Sequence, residues 1–234
     1  MKMVIRSVIV VLIAIVAITG LYWFGKAALY KHEAKQEVMS YLRSKYKDLE
    51  FHIKYMHHGF FGGSFIGRDF TVSIETKINS KNVNFFIWTD GQGKVREYTD
   101  TLVQEKIKMD AEEDVKAEVK QFIPSVKGVA VEVDYDAKAA NASPFIEYSR
   151  DMEWLSLKSI DVSWNEESDL AAIDFVHKSI QLGERLSSNK FKYRSIGTNY
   201  FVNGKIKMSL ELQQSQLNLP DEQLLKKIVI PTGQ

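Results

Sequence analysis

The chain has 234 residues, enough for one large domain or two small ones, so room for a buried core is not limiting. Its 31 Lys and Arg against 30 Asp and Glu leave a formal net charge of +1, which supplies no global attraction to nucleic acid. The absence of cysteine excludes disulfides, thiolate metal sites, a cysteine nucleophile and a lipid-modified N-terminal cysteine.

The opening residues, MKMVIRSVIVVLIAIVAITGLYWFGK, place Arg6 and Lys26 around an uncharged interior. Twenty helical residues at about 1.5 Å each span about 30 Å, the thickness of a hydrocarbon core. Between Val8 and Phe24, eleven positions are Val, Ile, Leu or Phe. Such residues favour insertion by roughly 0.3 to 0.6 kcal/mol each near the helix centre, roughly 3 to 7 kcal/mol in sum. Tyr22, Trp23 and Phe24 cluster at one end, where amphipathic rings suit the interface. A cleaved signal peptide has a shorter apolar region and a small-x-small site, and Ile18-Thr19-Gly20 makes a poor one. The pattern predicts an uncleaved anchor. Lys2, Arg6 and the terminal amine favour a cytoplasmic N-terminus and a body outside, although Lys26, Lys31 and Lys35 oppose that bias.

After the span, Val38, Leu42 and Tyr46, with Tyr41 and Leu49, give one apolar helical face, placed to continue directly from the anchor. Phe51, Ile53 and Tyr55 alternate as a half-buried strand, and Phe70, Val72, Ile74 and Ile78 repeat the period. Asn79-Ser80-Lys81-Asn82 reads as a hairpin turn into Val83, Phe85 and Ile87, and Asp90-Gly91-Gln92-Gly93 as a turn into Val95 and Tyr98. Thr99 to Phe122 is a charged helix stopped near Pro124, read as a link between two halves.

Val129, Val131, Val133 and Tyr135 alternate as a strand, and residues 155–164 form another. Glu167 to Leu186 is helical, with Leu170, Ile173, Val176 or His177, and Ile180 on one side. Two strands flank Asn203-Gly204, a strong short hairpin signal, and Pro220-Asp221 open a last helix. The expected fold class is α+β. An N-terminal transmembrane helix is followed by two small antiparallel-sheet-plus-helix domains. Its parts are a cytoplasmic tail (1–6), an anchor (7–25), a helix with a four-stranded meander (26–99), a linking helix (100–124) and a second α+β domain (125–234).

HHGFFGGSFIGRDF, residues 57–70, looks most like chemistry. His57 and His58 are adjacent on a strand, so they point to opposite faces and cannot share one metal ion without a bend. Gly62-Gly63-Ser64-Phe65-Ile66 lacks the closing glycine of a nucleophile elbow, and no helix follows it. A phosphate loop needs that helix too. The glycines read as turn or bulge residues, with an aromatic ligand lip of His57, His58, Phe60, Phe61 and Phe65 as the functional alternative.

Asp110, Glu113 and Asp114 share a helix face but lie among lysines, which favours a solvated charged surface over acid–base chemistry. Asp134 and Asp136 share a strand face without a ligand loop for calcium, and Asn141-Ala142-Ser143, a glycosylation sequon, runs straight into Pro144. Arg43, Lys45, Lys47, Lys190, Lys192 and Arg194 interleave with Tyr41, Tyr46, Phe191 and Tyr193, a pattern found on polyanion-binding surfaces and on ordinary half-exposed elements alike. No catalytic, cofactor-binding or metal-ligating set emerges.

The basic start, single span, juxtamembrane helix, Phe-x-Ile-x-Tyr at 51–55 and Asp-Gly-Gln-Gly-Lys-Val-Arg-Glu-Tyr at 90–98 together resemble the YfjL-like membrane-anchored proteins of low-GC Gram-positive bacteria. The meander also looks like cystatin-like or PepSY-like sheets. The resemblance covers residues 1–125 and implies an anchor followed by two small α+β domains; it carries no functional residue. The expected role is a single-pass, extracytoplasmic binding or interaction protein of the cell envelope. Its partners would be the lipid bilayer and an envelope protein or anionic wall polymer, without nucleic acid, cofactor or catalysis. An envelope hydrolase with a site near Ser64 or Asp110, and a body peripheral to the inner leaflet, are the alternatives.

Overall fold

α1 (Lys2–Lys45) is one unbroken helix of 44 residues, about 66 Å long at 1.5 Å per residue. From Val11 to Phe24 it is apolar yet largely uncovered by the protein, with Val16 70% and Phe24 80% exposed. This is a helix long and apolar enough to cross a membrane. At the end of the apolar run the Lys26 ammonium lies 5.6 to 5.7 Å from the ring centres of Tyr22, Trp23 and Tyr30. The same helix then becomes amphipathic: Ala34, Val38, Leu42 and Tyr46 recur at every fourth position and all are buried. The computed structural model describes residues 2–58, 68–96, 100–135 and 143–231, with the backbone alone for residues 2–10.

The chain divides into two compact units, Met1–Leu102 and Val103–Gln234. In the first, β1 (Phe51–His58), β2 (Phe70–Ile78) and β3 (Lys81–Trp88) form an antiparallel sheet in sequence order. Asn79 and Ser80 join β2 to β3 with φ of +49° and +67°, the left-handed pair that a two-residue hairpin requires. The inner face carries Phe70, Val72, Ile74, Ile78, Val83, Phe85 and Ile87, and the rings of Tyr46, Phe51 and Phe85 follow one another at 6.1 Å.

Two expectations for this sheet change. Register shifts between Ile53 and Tyr55, so Lys54 is an extra residue and the alternation of β1 inverts beyond it. Tyr55 therefore faces solvent, while Met56 and His58 lie opposite the buried Val72 and Phe70. The sheet also has three strands among the described residues, not four. The Asp90–Gly93 turn is present, but its return is a single bridge between Thr89 and Val95; residues 97–99 lie outside the described residues. The free edge of β3 is taken instead by Thr101, which donates its N–H to the Phe86 carbonyl and accepts the Phe86 N–H on Oγ1.

In the second unit the sheet order is β4 (Val126–Tyr135), β5 (Leu155–Asn165), β6 (Tyr193–Val202), β7 (Lys205–Gln213). β4–β5 and β6–β7 are antiparallel, but β5 and β6 run parallel and are joined through α3 (Ala172–Ser188). The fold is α+β as expected, with a mixed second sheet where an antiparallel one was expected. A strand–helix–strand connection returns the chain to its starting end, so the two strands it joins run the same way.

α2 (Leu102–Phe122) is not a bare link. Ala111, Val115, Val119 and the following Ile123 are fully buried in the same core as Val131, Ile160, Val162, Trp164 and Tyr200. The buried stripe of α3 is Phe175, Val176, Ser179, Leu182, Gly183 and Leu186. It is rotated from the expected one because the Phe175 ring inserts between Trp164 and Tyr200, at 5.6 and 6.1 Å. Ile173 and Ile180 lie at its margin. Asn203 and Gly204, at φ +50° and +76°, close the β6–β7 hairpin, and a short α4 (Asp221–Leu225) follows Pro220.

Candidate functional site

β1 ends on His57 and His58, and the structure separates them. His57 faces outward and stacks on Tyr55 at 4.9 Å, while His58 turns inward against Phe70 at 4.6 Å. Phe60, Phe61, Phe65 and the elbow-like 62–66 lie outside the described residues, as do Asp136 and Asn141. Among the described residues no group of three or more His, Asp or Glu is placed to hold a metal ion.

Asp110 and Asp114 on α2 are paired with separate cations. Asp110 accepts from the buried Lys106 at 2.5 Å, and Lys106 also donates to the Ile146 carbonyl. Asp114 accepts from Nε and Nη2 of Arg150, both at 2.6 Å, which raises that guanidinium's pKa through hydrogen bonding. His177 is half exposed and bonded to Asp221 at 3.0 Å.

The basic–aromatic run at 190–194 has a definite geometry. α3 ends in a Schellman turn: Lys190 N–H donates to the Ser187 carbonyl and Phe191 N–H to the Leu186 carbonyl, both at 3.0 Å. Lys190 occupies the left-handed position at φ +66°, which glycine normally fills. The turn sends Phe191 into the core with Leu186, and the period of two in β6 then sends Tyr193 inward as well. The Tyr193 hydroxyl donates to the Gly183 carbonyl at 2.7 Å, and burial, foremost, raises its pKa. The aromatic residues of the run thus belong to the core, while Lys190, Lys192 and Arg194 are left on the exposed side.

Beside them lie two adjoining hollows that share Tyr193, Arg194 and Gln214. One, of about 510 Å³, is bordered by Asp151, Ser156, Ser187, Lys190 and Lys192; the other, of about 570 Å³, by Lys158, Ser195, Glu211 and Gln213. Both are open to solvent, and together they hold four cations against Asp151 and Glu211. The ion pairs around them are exposed: Lys190 to Asp151 at 3.7 Å, Lys158 to Glu132 at 2.6 Å, and Arg194 to Asp134. Pairs of this kind contribute about 0 to 1 kcal/mol, so an incoming anion displaces them at little cost. Arg150 lies 3.9 Å over the Phe191 ring and donates to the Asn189 carbonyl at 3.0 Å, which fixes the turn that presents Lys190. The arrangement can hold phosphate or carboxylate oxygens among ammonium, guanidinium, amide and hydroxyl donors.

The open face of the sheet continues from here with small and polar residues. At its centre Asp161 lies over Gly197, where an added Cβ would come within 2.1 Å of Oδ1. Partial burial, then Glu211 and Glu132, raise the pKa of Asp161. Comparison with protein-family models, with curated proteins and with solved structures gives no match.

Proposed function

We propose that this chain is a single-pass, membrane-anchored protein of the bacterial cell envelope whose extracytoplasmic body binds a linear anionic polymer without catalysis. The observation that carries the binding role is the paired hollow with its four cations, reached along Lys190, Lys192 and Arg194. Keeping a lysine at φ +66°, where glycine is favoured, costs on the order of 1 kcal/mol. Local strain held in a lined hollow supports a reading in which the side chain is retained for binding. α1 supplies the tether, and the resemblance of residues 1–125 to YfjL-like proteins belongs to the same proposal.

Binding of a fluorescent teichoic acid or polyphosphate to the purified chain tests this. The triple variant Lys190→Gln, Lys192→Gln, Arg194→Gln loses about a hundredfold in affinity, at about 1 kcal/mol per exposed charge. An unchanged affinity, or binding that ignores salt, sinks the proposal. Resistance of the full chain to alkaline carbonate extraction tests the anchor, and a C-terminal reporter tests its orientation.

A further inference from the structure

The end of the second unit opposite the hollows carries an unusual pairing of residue types. Asn203–Ser209 reads NGKIKMS and Leu225–Pro231 reads LKKIVIP, with four lysines and no carboxylate between them. These segments form one surface, because Ser209 and Val229 exchange both backbone hydrogen bonds at 2.9 Å. Ile206 lies opposite Phe201, and Val229 opposite Ser209, on the open side of the sheet. The apolar side chains are uncovered: Val229 is 61% and Ile230 66% exposed, with Ile206 and Leu225 exposed beside them. Lys205, Lys226 and Lys227 have no ion-pair partner among the described residues, and Lys207 has only the exposed Asp169 at 3.3 Å.

From this we infer a second bilayer contact. The β6–β7 hairpin end and the C-terminal segment dock reversibly on the headgroup–acyl boundary of an anionic membrane. Ile206 and Val229 enter the boundary from the open side of the sheet while the lysines around them reach lipid phosphates. A protein partner fits less well, because protein hot spots are rich in Trp, Tyr and Arg set in pockets, and this surface has none of them. The inference rests on the anchored reading only in that α1 keeps a lipid surface within reach, which raises its effective concentration.

The lack of native cysteine makes the test direct. Single variants Ile206→Cys, Val229→Cys, Glu184→Cys and Ile15→Cys of the full chain are labelled with an environment-sensitive dye. Each is reconstituted in nanodiscs of phosphatidylcholine with or without phosphatidylglycerol. Labels at 206 and 229 shift to the blue and resist iodide quenching when phosphatidylglycerol is present, while 184 stays quenched in both. Adding Lys226→Gln and Lys227→Gln weakens the contact about 25-fold, at about fivefold per lysine. Quenching at 206 and 229 equal to that at 184 in anionic discs overturns the contact. Protection indifferent to lipid charge overturns its electrostatic basis. Quenching at 15 overturns the anchor instead, and the readout at 206 and 229 still decides the contact.

Discussion

Asp100 offers the sharpest test of how the first unit is held together. Its side chain is wholly buried, and Oδ2 accepts from the Tyr46 hydroxyl at 2.6 Å, the Tyr41 hydroxyl at 3.1 Å and Lys45 Nζ at 3.1 Å. Oδ1 accepts the Leu102 N–H at 3.1 Å, at the start of α2. Asp100→Ala leaves the buried Tyr46 hydroxyl without its acceptor, which costs about 1 to 3 kcal/mol. The Lys45 contact adds about 1 kcal/mol at most, because that side chain is 29% exposed. With the lost Leu102 bond the total is about 3 kcal/mol. Burial, then Asp100, push the Tyr46 phenol far up in pKa, so it remains a donor at any working pH. Tyr46→Phe, which leaves the carboxylate its other donors, costs about 1 kcal/mol, and the double variant shows a coupling of about 1 to 2 kcal/mol. Native-state hydrogen exchange of the full chain in nanodiscs reads the loss in peptides from β2 and β3, with β5 and β6 unchanged. A loss below about 1 kcal/mol, or an equal loss in the second unit, refutes the reasoning.

Other substitutions probe single contacts. Gly183→Ala gains helix propensity, yet its Cβ would meet Leu217 Cδ2 at 2.8 Å and the Tyr193 hydroxyl at 3.1 Å. The net effect is a destabilisation of about 1 kcal/mol, seen as a lower melting temperature; a rise would show that Leu217 yields freely. Ser80→Gly relieves a left-handed serine at φ +67° and raises the first unit's stability by about 1 kcal/mol in the same exchange experiment. Asp161, raised above its ordinary 3.8, is more easily protonated folded than unfolded, so its ionised form opposes folding. The opposition is absent below pH 3.8 and complete above the raised folded value. Asp161→Asn therefore stabilises at neutral pH, and denaturant midpoints of variant and parent converge as the pH falls below 3.8.

What the amino-acid sequence determined by itself was local. The apolar run of α1 and its fourfold repeat at Val38 and Leu42, the hairpins at Asn79 and Asn203, and the helical character of α3 depend on residues within a few positions of one another. Tertiary structure decided what depends on distant partners. A period of two is the same for parallel and antiparallel strands, so the β5–β6 pairing waited on the path of α3. The bulge at Lys54 inverted β1 through its register against β2, and α2 found its core only against β4 and β5. The cations at 190–194 were legible as charge, but their hollow exists because a Schellman turn points Phe191 inward. Asp100 fell inside the charged helix expected over 99–122 and carried no separate signal; it became a hub when Tyr41, Lys45 and Tyr46 converged on it across more than fifty residues of chain. Local propensity is written in neighbours; burial and convergence are written in the packing of elements that the chain brings together only when it folds.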